Sequence, residues 1–150
     1  MELEKLEKTI DFAIEKEKEA VNFYKTCSEL TSKAGMKKAF LEMSDEEKKH
    51  VEMLENFEPE TVEKIKLKEV PDMKISDYLV DMEFSPDMSY QDLLILAMKR
   101  EESSVKMYSN FADNTTEPSI NKLFTLLAQE ETRHKNRLQK EYDEVILTDN

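Results

Sequence analysis

The only two histidines of the chain, His50 and His134, each stand three residues after a glutamate, Glu47 and Glu131. Side chains three apart share one face of a helix, so each Glu-x-x-His run presents a carboxylate beside an imidazole. Two more glutamates, Glu17 and Glu101, precede these runs by the same interval. Carboxylate and imidazole donors together suit iron or manganese, with zinc a workable substitute; calcium would favour oxygen donors alone.

The surrounding apolar residues say where these groups point. Phe40, Met43, Glu47, His50, Val51, Leu54 and Phe57 recur at three- and four-residue steps, one stripe of a 3.6-residue helix. Ile120, Leu123, Leu127, Glu131, His134 and Leu138 repeat the pattern, Glu17 lies among Ile10, Ala13, Ile14, Val21 and Tyr24, and Glu101 among Leu94, Ala97, Val105 and Tyr108. Four carboxylates are therefore aimed inward, where even one unpaired charge costs several kcal/mol. Two divalent cations would balance them, with neutral imidazoles completing the donor set. One Glu from each of two helices and Glu-x-x-His from two others is the donor arrangement of di-iron helical bundles. Glu46 and Glu130 are the competing neighbours, but four residues before the histidine lies further round the helix than three, which favours Glu47 and Glu131.

The elements needed to hold these residues are four long amphipathic helices. One glycine and four prolines in 150 residues, with Lys, Glu, Leu, Ala and Met abundant, indicate an all-α fold in a single domain. The spacing predicts segment A over about Leu3–Thr31, B over about Met36–Phe57, C over about Ser89–Asp113 and D over about Pro118–Val145. Gly35 punctuates A and B, Ser89 with Asp92 forms an N-terminal cap for C, and Pro118 suits the first turn of D. Short breaks make A–B (about 3–57) and C–D (about 89–145) antiparallel hairpins. The stretch of about 58–88 between them, with a short helix expected over Lys74–Met82, is long enough to run the length of a bundle. The expectation is a ferritin-like four-helix bundle of two antiparallel hairpins joined by a long crossover.

The two hairpins also read as copies. A single ungapped shift places Ala13 on Ala97, Glu17 on Glu101, Val21 on Val105, Tyr24 on Tyr108, Phe40 on Phe124, Glu46 on Glu130, Glu47 on Glu131, His50 on His134 and Leu54 on Leu138. Chance supplies some Glu-on-Glu matches in so acidic a chain, but rarely aligns its only two histidines as well.

At these residues the chain resembles the rubrerythrin branch of the ferritin-like superfamily. The motifs that carry the resemblance are Ala13-x-x-x-Glu17 followed by Phe23-Tyr24, then Glu47-Lys48-Lys49-His50. Their repeats are Ala97-x-x-x-Glu101 followed by Met107-Tyr108, then Glu131-Thr132-Arg133-His134. The resemblance implies two iron ions per chain, with Glu17 and Glu101 as terminal ligands, Glu47 and Glu131 as bridges, and His50 and His134 each closing one metal's shell. It implies a di-iron oxidoreductase that reduces hydrogen peroxide or dioxygen. Two departures stand out. Rubrerythrins carry a further carboxylate three residues after the third helix's ligand, where this chain has Ser104, and the six-ligand set that remains is similar to the ferroxidase centre of bacterioferritins. They also commonly carry a rubredoxin domain, whose four-cysteine iron the lone Cys27 cannot build, so electrons are expected from a separate small carrier such as a rubredoxin. Ferroxidase or iron-handling activity is the alternative, although nothing marks the multi-subunit shell that storage would need.

Around the ligands, Tyr24 and Tyr108 lie two turns beyond Glu17 and Glu101 on the same faces. They read equally as partners that orient the ligand carboxylates and as packed core residues. Cys27 reads as a small buried thiol, with no CxxC or basic pocket near it. A formal net charge of −12, with Lys and Arg interleaved among Glu, argues against nucleic acid. No apolar run approaches the ~20 residues of a membrane span, and Met1–Lys8 is too charged for a secretory signal. A cytoplasmic homodimer is expected, and a long crossover would permit a hairpin to be exchanged between two chains.

Overall fold

The computed structural model describes residues 2–58 and 83–147, and the chain divides into two compact units, residues 1–58 and 59–150. Each is built on one helical hairpin. Most of the expected crossover, including the short helix anticipated over Lys74–Met82, lies outside the described residues. The described residues contain no strand.

In the first unit α1 spans Glu2–Leu30 and α2 spans Ala34–Glu55. Neither holds a proline, and the buried positions of α1, Ala13, Glu17, Val21, Tyr24 and Cys27, follow the predicted stripe. Partners between the helices run in opposite order along the chain: His50 meets Glu17, Ser44 meets Val21, Phe40 meets Tyr24, and Lys37 meets Ser28. The pair is thus antiparallel. Its closed end is secured from across the hairpin, since Lys37 Nζ donates to the Ser28 carbonyl at 2.9 Å, one of the last carbonyls of α1 with no partner within its own helix.

Gly35 departs from expectation. It is the second residue of α2 rather than the break before it, and the break is Thr31–Lys33. No described residue has a positive φ, so the turn makes no demand that only glycine meets. The turn closes instead on the Lys33 carbonyl, which accepts from the amides of Met36 and Lys37 at 3.1 and 2.9 Å.

In the second unit α3 spans Tyr90–Asp113 and α4 spans Pro118–Tyr142. Ser89 caps α3 as predicted, its hydroxyl accepting from the Asp92 amide at 3.1 Å, and Pro118 opens α4. Segment D was expected to stay α-helical to about Val145. The α-helix ends at Tyr142, and Asp143–Leu147 continue as a wider π-helical turn, with the Gln139 amide donating to the Asp143 carboxylate at 2.8 Å at the junction. At the open end of the hairpin Tyr90 donates to Glu141, and Gln91 donates to the Tyr142 hydroxyl at 3.3 Å. Burial, together with Glu141, pushes the Tyr90 phenol well above its ordinary range, so it remains the donor.

The internal repeat extends to the contacts. Tyr24 stacks on Phe40 with ring centres 6.1 Å apart, and Tyr108 stacks on Phe124 at the same 6.1 Å. Asn121 donates to the Ala112 carbonyl at 2.8 Å, at the positions matching Lys37 and Ser28. Each hairpin is therefore closed by the same two devices, a buried aromatic stack and a side chain of the second helix capping the first.

Two substitutions test these local readings. A Cβ built on Gly35 meets no atom within 4 Å, so Gly35→Ala is expected to stabilise the protein by about 0.5 kcal/mol. Ser89→Ala removes a helix cap and is expected to cost about 1 kcal/mol. Shifts of the urea midpoint at unchanged slope measure both.

Candidate metal centre

Glu17 of α1 and Glu47 and His50 of α2 meet inside the first hairpin, 2%, 0% and 4% exposed respectively. The stripe of α2 puts Glu47 and His50 on one face, and antiparallel pairing brings Glu17 to the same level. His50 Nδ1 lies 3.2 Å from Glu47 Oε1 and 3.5 Å from Glu17 Oε2. Each of the three residues offers one ligand atom within 4.8 Å of those of the others.

The second hairpin repeats the arrangement with Glu101 of α3 and Glu131 and His134 of α4, all at most 3% exposed. His134 Nδ1 stands 3.6 Å from Glu101 Oε1 and 3.7 Å from Glu131 Oε1, again with one ligand atom per residue inside 4.8 Å. In both triads the imidazole turns Nδ1 towards the carboxylates.

The spacing and the donor types both fit a metal ion. Two donors about 2.1 Å from one metal stand about 3.0 Å apart at an octahedral corner and about 3.4 Å apart at a tetrahedral one. A nitrogen-to-oxygen hydrogen bond usually spans about 2.7–3.2 Å. Three of the four His–Glu separations exceed that range and lie near the spacing of donors on one metal. Each triad carries two carboxylates, which one divalent cation would balance. The cost of leaving them unbalanced shows at Glu17. Burial raises its carboxyl from 4.5 to about 7, the Glu47 carboxylate adding to the rise and His50 opposing it.

The neighbouring candidates separate clearly. Glu46 and Glu130 are half-buried, whereas Glu47 and Glu131 are the residues set against the histidines, and Glu130 pairs with Arg133 at 3.1 Å. Tyr24 and Tyr108 are packed core residues, 1% and 0% exposed, each on its stacked phenylalanine. Cys27 is buried and forms no disulfide. Ser104, where the resemblance would place a carboxylate, is half-buried on α3.

Sequence reading missed one pair beside the second triad. Lys135 is 1% exposed, and its ammonium donates to Glu102 at 2.8 Å. Glu102 follows Glu101 and Lys135 follows His134, so the ion pair joins the same two helices at the same level. The signal was present, because Lys135 lies four residues after the inward Glu131 and four before the buried Gln139. A lysine there reads as a charge on the wet side unless the partner helix is known.

The family model described as Rubrerythrin matches residues 8–142, which takes in all of α2, α3 and α4 and most of α1. Comparison with curated proteins and with solved structures returns no match. No described helix is long and apolar enough to cross a membrane.

The raised Glu17 carboxyl gives the metal-free protein an unusual pH dependence. The folded state holds this proton more tightly than the unfolded chain does. Its stabilising contribution is therefore complete below pH 4.5 and is lost as pH rises to about 7, by about 3 kcal/mol from this group alone. Urea unfolding of the metal-free protein between pH 4.5 and 7.5 should show that loss, and Glu17→Gln should flatten it.

Proposed function

As the chain belongs to the rubrerythrin family, whose core is the erythrin di-iron domain, we propose that it is a di-iron oxidoreductase reducing hydrogen peroxide or dioxygen with electrons from an external carrier protein. The observation that carries this reading is the duplicated triad, in which each hairpin buries two carboxylates and one imidazole at metal-ligand spacing. Glu17, Glu47 and His50 would hold one iron and Glu101, Glu131 and His134 the other. By the family resemblance Glu17 and Glu101 would be terminal ligands, and Glu47 and Glu131 would be the shared ones.

Bound iron supplies the redox change between its +2 and +3 states. The chain's own residues set the conditions for it. Burial of the triads keeps bulk water away and makes charge balance, rather than solvation, decide what binds. The imidazoles give a neutral donor through Nδ1, so each triad keeps a charge of −2 when its carboxylates are ionised. Tyr24 and Tyr108, buried two turns beyond Glu17 and Glu101, would on this reading steady the ligand carboxylates. Peroxide reduced to two waters takes up two electrons and two protons. The electrons would come from an external carrier, since these 150 residues hold one cysteine, Cys27, and so no four-thiolate iron site.

Ser104 supports a second reading. Without a carboxylate at that position the donor set has six members, as in a ferroxidase centre, and iron oxidation for storage or transfer would then be the activity.

Metal content decides the shared premise. Protein purified without added metal or chelator is expected to carry about two irons per chain by mass spectrometry, and Glu47→Ala with Glu131→Ala is expected to carry none. Stopped-flow oxidation of the di-ferrous protein separates the activities. Faster reaction with peroxide than with dioxygen supports the reductase, and the reverse order, with release of ferric iron, supports ferroxidase.

A further inference from the structure

The two triads repeat, but what surrounds them does not. Beside Glu101 and His134 stands the Glu102–Lys135 ion pair, at 2.8 Å, with the lysine buried and the second Glu102 oxygen 3.7 Å from Lys106. The matching residues of the first hairpin are Lys18 and Val51. Lys18 is exposed and pairs along its own helix with Glu15 at 3.9 Å, and Val51 carries no charge. A polar tie between α1 and α2 lies one turn nearer the closed end, where the Ser44 hydroxyl donates to the Val21 carbonyl at 2.9 Å.

A buried ammonium must keep its carboxylate partner, since losing it would leave a desolvated charge. The Glu102–Lys135 pair therefore holds α3 and α4 together at the level of Glu101 and His134 without help from a metal. The triads themselves are alike: His50 lies 3.2 and 3.5 Å from Glu47 and Glu17, and His134 3.6 and 3.7 Å from Glu101 and Glu131, so the difference between the halves is what flanks them. A nearby cation would oppose metal uptake, but the Lys135 charge is neutralised 2.8 Å away. Its residual field is that of a dipole and falls off steeply, so preorganisation outweighs repulsion.

We propose that the Glu102–Lys135 ion pair is a positioning clasp that presets the Glu101, Glu131 and His134 half-site, so that this half-site takes up a divalent cation before the Glu17, Glu47 and His50 half-site does. The inference rests on the metal reading above and adds an order of loading and the residues that set it.

Cobalt(II) titrated into the metal-free full-length protein tests it, with native mass spectrometry counting ions per chain and visible absorption reporting their coordination. The first cobalt is expected to bind at least about tenfold tighter than the second. Glu102→Gln and Lys135→Met are expected to weaken the first step by about 10- to 100-fold, the range seen when groups that orient metal ligands are lost, and Lys135→Arg to restore it. With the clasp intact, His134→Ala should abolish the tight step and His50→Ala should spare it. That pair of variants decides the matter even if Glu102→Gln loses helicity by circular dichroism. Coincident isotherms for wild type and a folded Glu102→Gln overturn the clasp alone, as does a tight step that survives His134→Ala and vanishes in His50→Ala. A wild-type protein that takes up no cobalt overturns the metal reading and the clasp together.

Discussion

Taking an ionised carboxylate out of water costs several kcal/mol, and each hairpin buries two carboxyl groups within reach of one imidazole. Glu47 is fully buried and Glu17 nearly so, and the raised Glu17 carboxyl is the local record of that cost. Any account of these helices has to offset it. Hydrophobic packing does not, because the carboxylates occupy positions that leucine would fill more favourably. A divalent cation would offset it, and donors of the type and spacing that suit one converge in both halves.

The rest of each hairpin can be understood as the frame this requirement needs. Two long helices hold ligands from different parts of the chain at one level only if their register cannot slip. The aromatic stack one to two turns towards the closed end, Tyr24 on Phe40 or Tyr108 on Phe124, fixes the approach of the helices by large buried surfaces. The capping contacts, Lys37 to Ser28 and Asn121 to Ala112, fix where the second helix begins relative to the end of the first. A lysine and an asparagine perform this at matched positions. The two halves thus share the geometry of closure with different side chains, as expected where only a donor reaching a helix-end carbonyl is required.

Between the triads and their frames lies the difference that separates the halves. In the first hairpin a neutral polar tie, a serine hydroxyl on a backbone carbonyl, lies one turn from the ligands. In the second it is ionic and adjacent to them. An ion pair between neighbours of two ligands transmits position directly to both, whereas a hydroxyl one turn away constrains the helices but leaves ligand side chains more latitude. Equivalent donor sets in unlike frames are not equivalent sites.

Much of this was legible in the residues alone. Periodicity placed Glu17, Glu47, His50, Glu101, Glu131 and His134 on the buried faces of their helices, because a 3.6-residue repeat converts spacing into direction. The Ser89 cap was readable because capping depends on residues three apart. Gly35 and the end of segment D were not. A glycine marks a turn only when the backbone needs positive φ, and the turn chosen here needs none. The passage from α-helix to π-helical turn after Tyr142 depends on contacts around Gln139 and Asp143 that spacing does not encode. Least legible was the burial of Lys135, because a lysine's surroundings are set by the partner helix. By itself the sequence determined which donors exist and which helix face each occupies, since both follow from local periodicity. Only the tertiary structure decided how close those donors come and which charge stands beside them, because both depend on the packing of residues distant in the chain.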